Sequence, residues 1–155
     1  MDESVPEVRD DTPKALLLEK QLQEQLRKAL SGARPSTVVG IGVDLVEIDE
    51  FAALPFEENQ HFYTHVYTME EIAYCRSCAA PPQHFAARFA AKEAVVKACG
   101  GFMRLTPVQI EIVRTATGAP VVKVRSAPTL DRTYAIHVSL GHSATVAYAV
   151  ALAVH

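Results

Sequence analysis

The chain has 155 residues, a net charge of −3, and 49% hydrophobic against 21% charged residues, which suits one domain with its own core and excludes a disordered or low-complexity protein. The slightly acidic balance argues against nonspecific nucleic-acid binding, and the longest apolar run, Ala144 to Val154, is too short for a membrane-spanning helix, so neither a nucleic-acid nor a membrane partner is expected. The polar start carries no secretory pattern, and Cys75, Cys78 and Cys99 form no zinc set or disulfide framework; a cytoplasmic protein with reduced thiols is the expectation.

Residues 1–35 read as an N-terminal extension and 36–155 as the folded domain. Met1 to Thr12 is charged and poor in apolar residues, the composition of a disordered start. Pro13 to Leu30 reads as a helix, with Thr12 as N-cap, Pro13 in the first position, and Leu18, Leu22, Leu26 and Ala29 on one stripe. Ser31-Gly32 ends it. Thr37 to Asp44 alternates Val39, Ile41 and Val43 with Val38, Gly40 and Gly42, a strand with one face stripped for close approach and with Asp44 at its end. Leu45, Val46 and Ile48 are expected to begin a helix. His61 and His65 stand at i, i+4 but lack the rest of a zinc motif. Thr68 and Glu71 form a capping box that opens a helix through Cys75, and Pro81-Pro82 ends it.

Phe85 to Gly100, FAARFAAKEAVVKACG, is Ala-rich, free of Pro and closed by glycine, and predicts a long helix. Ala86, Ala90, Glu93 and Lys97 fall on one line at i, i+4, i+7 and i+11; Arg88 and Lys92 lie beside it, and Phe85, Phe89 and Val96 form an apolar line. A carboxylate one turn before a lysine, with basic charge alongside, suits a metal and a phosphate held together. The same spacing also makes a plain surface Glu–Lys pair.

Beyond Gly101 the pattern turns to strands. Val108 to Val113 and Ala119 to Val124 flank a turn at Thr117-Gly118, and Ile136 to Leu140 and Ser143 to Val154 flank Gly141-His142. Arg125 to Thr133 joins the two hairpins with a hint of helix. The layout is α+β, an antiparallel sheet packed with helices.

Three stretches, GIGVDLVEI at 40–48, FAARFAAKEAVVKA at 85–98 and IHVSLGHS at 136–143, together resemble the signature blocks of the holo-acyl-carrier-protein synthase family of 4′-phosphopantetheinyl transferases. The resemblance implies a small α+β fold of the trimer-forming type, with active sites at subunit interfaces. It implies transfer of the phosphopantetheine arm of coenzyme A to a serine of an acyl or peptidyl carrier protein, with Mg²⁺ as cofactor. Asp44 and Glu93 match the family's metal carboxylates. Lys97 matches the lysine on the coenzyme phosphates, and His142 the histidine near the nucleotide phosphates. Arg88 and Lys92 are further candidates for phosphate contact. Glu93 and Lys97 are the catalytic candidates, and the serine proton goes to Glu93 or to a metal-bound water.

The chain departs from the family in three places. Gly141 stands where Ser or Thr usually precedes the histidine, and the segment between Val124 and Ile136 is short. Asp49 and Glu50 occupy a helix on which relatives carry carrier-docking arginines; no Lys or Arg occurs between Arg34 and Arg76. Two rival readings are a carrier-binding module of the same fold without catalysis, and a different Mg²⁺-dependent phosphoryl-transfer enzyme acting on a nucleotide.

Overall fold

The computed structural model describes residues 14–30, 38–125 and 134–155. The expectations placed on 1–12, on the Thr12 cap, on Ser31-Gly32 and on most of the 125–133 connector lie outside these residues. Elements follow in the order α1 Lys14–Leu30, β1 Val38–Glu47, α2 Ile48–Ala52, α3 Gln60–Val66, α4 Met69–Ser77, α5 Pro81–Cys99, a 3-10 turn Pro107–Gln109, then β2 Ile110–Arg114, β3 Pro120–Val124, β4 Ala135–His142 and β5 Val146–Val154. Strands β1, β5 and β4 form one antiparallel sheet in that order, and β2 and β3 form a separate hairpin. The α+β class and the antiparallel pairing read from the sequence both hold.

The glycines of β1 decide how the layers meet. A Cβ on Gly40 would lie 1.8 Å from the Ala98 carbonyl oxygen, and one on Gly42 would lie 2.0 Å from that of Ala94. Helix backbone therefore sits directly on strand backbone, a contact only glycine permits. From the same face of the sheet, Ala147, Ala149, Ala151 and Ala153 of β5 meet Ala86, Ala90 and Ala94 of α5, all buried. Small residues on both sides let the layers close. Phe85, Tyr63 and Tyr67 fill the remaining volume at the N-terminal half of the helix, with ring centroids 4.6 Å and 5.1 Å from Phe85.

Three boundaries differ from the sequence reading. Strand β4 runs through Gly141 and His142, which continue the ladder opposite Tyr148 and Ala147, so the bend falls at 143–145 rather than at Gly141-His142. Strand β1 runs through Glu47, because Leu45, Val46 and Glu47 continue the ladder opposite Tyr148, Ala147 and Val146. Asp44 is thus three residues inside the strand rather than at its end. Helix α5 starts at Pro81, since prolines fit the first helical turn, where the missing N–H has no partner to lose. The Thr68–Glu71 capping box forms as read. The inward face of α1 carries Glu19, Leu22, Gln23 and Leu26, while Leu18 is exposed, so the buried stripe is rotated from the leucine line.

Candidate active site

Asp44 leaves β1 on the face toward α5 and is buried among the helix side chains, 8% exposed. Lys97, on the last turn of α5, donates to Asp44 Oδ1 at 2.9 Å and to the Val43 carbonyl oxygen at 3.1 Å. Its third bond goes to the Glu19 carboxylate of α1. Burial, aided by the charges of Glu19 and Glu93, lifts the Asp44 carboxyl to about 6 against the pull of Lys97. Burial also works against the Lys97 ammonium, but its bonds to Glu19 and Asp44 outweigh that and hold its pKa above the ordinary lysine value. Two carboxylates thus meet one lysine, with the charge of Glu93 felt at Asp44, which ionises reluctantly.

A second group forms at the other half of α5. Arg88 is 5% exposed, stacks over the Tyr74 ring at 4.2 Å, and lines a cleft of about 310 Å³ with His84, Arg114, Gly141 and His142. Its Nε has no hydrogen-bond partner, and among the described residues no carboxylate pairs with its guanidinium. A buried cation without a counter-charge is costly, and an anionic ligand in the cleft would supply one. His84 and His142 lie edge to face with centroids 6.1 Å apart, and burial lowers the His84 pKa, aided by the nearby charges of Arg88, His142 and Arg114.

The structure thus joins Asp44, Glu93 and Lys97 at one place and Arg88 and His142 at another. Lys92 belongs to neither. It is fully buried, paired with Glu71 at 2.7 Å, and donates to the carbonyls of Pro107 and Ile110. Its three N–H groups are spent on holding the turn before β2 to the helix, so it has none to offer a phosphate. Gly141, the departure before the histidine, faces Tyr148 across the ladder, and a Cβ there would fall 2.8 Å from the Tyr148 hydroxyl. The space of the missing side chain is taken by that ring.

His84, Arg114, Tyr74 and Glu19 escaped the sequence reading. His84 sits one turn before Arg88 and was legible from spacing alone. Arg114 arrives from the β2–β3 hairpin and Glu19 from α1, and no local pattern announces either. His61 and His65 stack at 4.1 Å with the His65 ring bonded to the His61 carbonyl, and among the described residues no third metal-type ligand joins them. Cys75 and Cys99 are buried, and burial raises their thiols to about 12 and about 11, so they are inert packing groups. No helix among the described residues is long and apolar enough to cross a membrane.

The chain is similar in sequence and fold to known proteins. The chain is 39% identical over 126 residues to a holo-[acyl-carrier-protein] synthase of Geobacter sulfurreducens, covering 76% of this chain and 96% of that one. Among solved structures, an acyl carrier protein synthase of Mycobacterium tuberculosis superposes with a TM-score of 0.58 at 36% identity, covering 75% of this chain and 96% of that chain. A Helicobacter pylori holo-[acyl-carrier-protein] synthase in complex with coenzyme A gives a TM-score of 0.63 at 26% identity, covering 73% and 98%. The profile of the 4′-phosphopantetheinyl transferase superfamily matches residues 40–153, which takes in β1 with Asp44, all of α5 and the β4–β5 hairpin with His142. By that match and by these relatives, the chain belongs to the 4′-phosphopantetheinyl transferase superfamily, in its holo-acyl-carrier-protein synthase branch.

Proposed function

We propose that this chain transfers the 4′-phosphopantetheine arm of coenzyme A to a serine of an acyl or peptidyl carrier protein. The serine oxygen forms a bond to the phosphorus that carries the pantetheine arm. The bond from that phosphorus to the bridging oxygen breaks, and adenosine 3′,5′-bisphosphate leaves with the electron pair. Such a transfer asks for positioning and charge neutralisation more than for covalent help. The observation that carries the reading is the pair of ligand-hungry ends on α5: a carboxylate–lysine cluster at one, and a buried arginine without a counter-charge at the other.

Asp44 and Glu93 are the residues that would hold Mg²⁺. The raised Asp44 pKa supports this, since a cation would relieve the burial and the carboxylate repulsion that cause it. Magnesium takes one or two carboxylates and fills its other positions with water and phosphate oxygens, so two side chains suffice. When bound, it neutralises charge on the pyrophosphate. Lys97 steadies a phosphate oxygen beside it, and Glu93 accepts the serine proton. Arg88, His142, His84 and Arg114 receive the remaining phosphate of the coenzyme.

Arg88 and Lys97 stand nine residues apart on α5, about 14 Å along its axis at 1.5 Å per residue. From the resemblance to the trimer-forming synthases we place the two groups of one site on neighbouring subunits of a homotrimer, which the separation along α5 suits. The sheet face turned away from α5 supports assembly: Val146, Val150, Leu152 and Val154 are only half-covered there, and Tyr148 is 48% exposed. A cytoplasmic setting suits both the coenzyme and the three free thiols.

The test is direct. Incubation with coenzyme A, Mg²⁺ and apo carrier proteins, followed by intact-mass spectrometry, should show a carrier gaining the arm, with adenosine 3′,5′-bisphosphate in equal amount. Nucleotide release without any modified carrier would favour the nucleotide-directed rival. Light scattering on the active preparation should give the mass of three chains, and an active monomer would refute the shared site.

A further inference from the structure

Glu19 reaches the site from α1, which lies outside residues 40–153 and so belongs to this chain rather than to the superfamily match. An ammonium has three N–H groups. On Lys97 all three are engaged, by Glu19, by Asp44 and by the Val43 carbonyl. Two of these acceptors lie on the strand that carries the site and stay with it. The third is a carboxylate on a helix that packs chiefly on β1. The Glu19 side chain is 14% exposed, well shielded for the surface of a protein, and that shielding strengthens its hold on the lysine. The rest of α1 is weakly held. Leu16, Leu17 and Leu18 are 41%, 45% and 51% exposed, and only a narrow stripe touches the strand. An element with so little buried apolar surface opens at low cost.

A carboxylate seated on a phosphate-binding lysine mimics the ligand it displaces. It also adds a negative charge beside Asp44, where a pyrophosphate would arrive. We propose that α1 is an autoinhibitory strap, its Glu19 carboxylate holding the place on Lys97 that a coenzyme A phosphate takes when α1 lifts from β1. The inference rests on the assignment of Lys97 to the coenzyme phosphates. The strap gives the chain a closed state in which the lysine is neutralised and shielded, and an open state selected by the coenzyme.

Calorimetric titration of the full chain with coenzyme A in Mg²⁺ tests it. Glu19→Gln should bind about tenfold more tightly than wild type, the effect of removing one charge-assisted competitor. In the wild type, coenzyme A should speed amide hydrogen exchange over residues 16–28, because binding frees α1. Unchanged or weaker binding by Glu19→Gln overturns the strap, the weaker case by making Glu19 a helper of the metal. Slower exchange across α1 on binding overturns it as well. Lys97→Ala separates the two layers of the argument. If Lys97→Ala weakens binding while Glu19→Gln changes nothing, the strap fails and the Lys97 assignment stands. If Lys97→Ala leaves the affinity unchanged, both fall.

Discussion

Two lysines five residues apart on α5 meet opposite fates. Lys92 is fully buried, and its partners are a carboxylate and two backbone carbonyls from elements that it ties together. Burial lowers its pKa against the pull of Glu71. Lys97 is a third exposed, and its partners are two carboxylates and a carbonyl at the edge of the domain. In the Lys92 group every charge is answered from within the chain: Glu71 also accepts from the backbone of Thr68 and Ile112, so its oxygens are fully used. In the Lys97 group negative charge is in excess, with Asp44 and Glu19 on one ammonium and the charge of Glu93 felt at Asp44. A satisfied buried pair specifies structure, and an unbalanced cluster near the surface leaves work for a ligand.

The comparison breaks first on activity. Asp44→Ala or Glu93→Ala should lower transfer by about a thousandfold or more, as expected when a group that stabilises transition-state charge is removed, while circular dichroism and oligomeric mass stay unchanged. Lys92→Met should do the reverse, keeping residual activity per folded molecule and losing stability. It leaves Glu71 buried without its cation, a defect of about 3–5 kcal/mol. In a chain of this size that lowers the melting temperature by roughly 10 °C. Should Asp44→Ala unfold the chain while Lys92→Met leaves stability unchanged, the two groups have been assigned the wrong way round.

The next effect sharpens the cost of the site. The Asp44 carboxyl, at about 6 in the folded chain, ordinarily titrates at 3.8. The folded form therefore binds the proton more tightly than the unfolded one. Stability is greatest below the ordinary value and declines as pH rises through about 6, by roughly 3 kcal/mol in total. Asp44→Asn removes that penalty. In chelator, denaturant melts should find the variant more stable than wild type at pH 7.5, with the gap narrowing below pH 6 and absent near pH 4. A pH-independent difference would mean that Asp44 carries no such strain. Added Mg²⁺ should raise the wild type alone.

Much of this was legible in the residues because the information is local. The capping box, the glycine punctuation of the β2–β3 turn and the bare face of β1 each fix a short piece of backbone by its own chemistry, and each formed as read. Glu93 and Lys97 were legible because helix period places them one turn apart. Lys92 was not: helix period sets it on one line with Arg88, but nothing local says that Glu71 and the carbonyls near β2 close over it. Period assigns a face, and only the tertiary packing says what covers that face. The same limit hid Glu19, Arg114 and the continuation of β1 past Asp44, which depends on how long β5 remains its partner. Phe51, Phe62 and Phe89 pack against one another as tilted rings at 5.7 to 6.4 Å, so the aromatic character of this region serves the core.

For a carrier that docks at α2, that packing leaves charge as the means of contact, and it sets the smallest of the expected effects. Ile48 and Phe51 turn inward, while Glu47, Asp49 and Glu50 face solvent. Phe56 lies beneath the Arg76 guanidinium at 4.4 Å, and that arginine, which lines a cleft with Phe51 and Ala52, is paired with Glu57 at 2.9 Å, so its charge is already answered. An acidic carrier approaching α2 therefore meets repulsion that slows encounter more than it weakens the docked complex. Glu50→Arg removes one like charge and adds an opposite one. At low ionic strength it should raise kcat/KM toward a strongly acidic carrier several-fold with kcat nearly unchanged, since the substitution is remote from Asp44 and Lys97. Near 1 M salt the Debye length shrinks to about 3 Å and the gain should vanish. A less acidic carrier should show a smaller gain at every salt concentration. Equal kcat/KM values for Glu50→Arg and wild type across the whole salt range would show that the carrier docks away from α2.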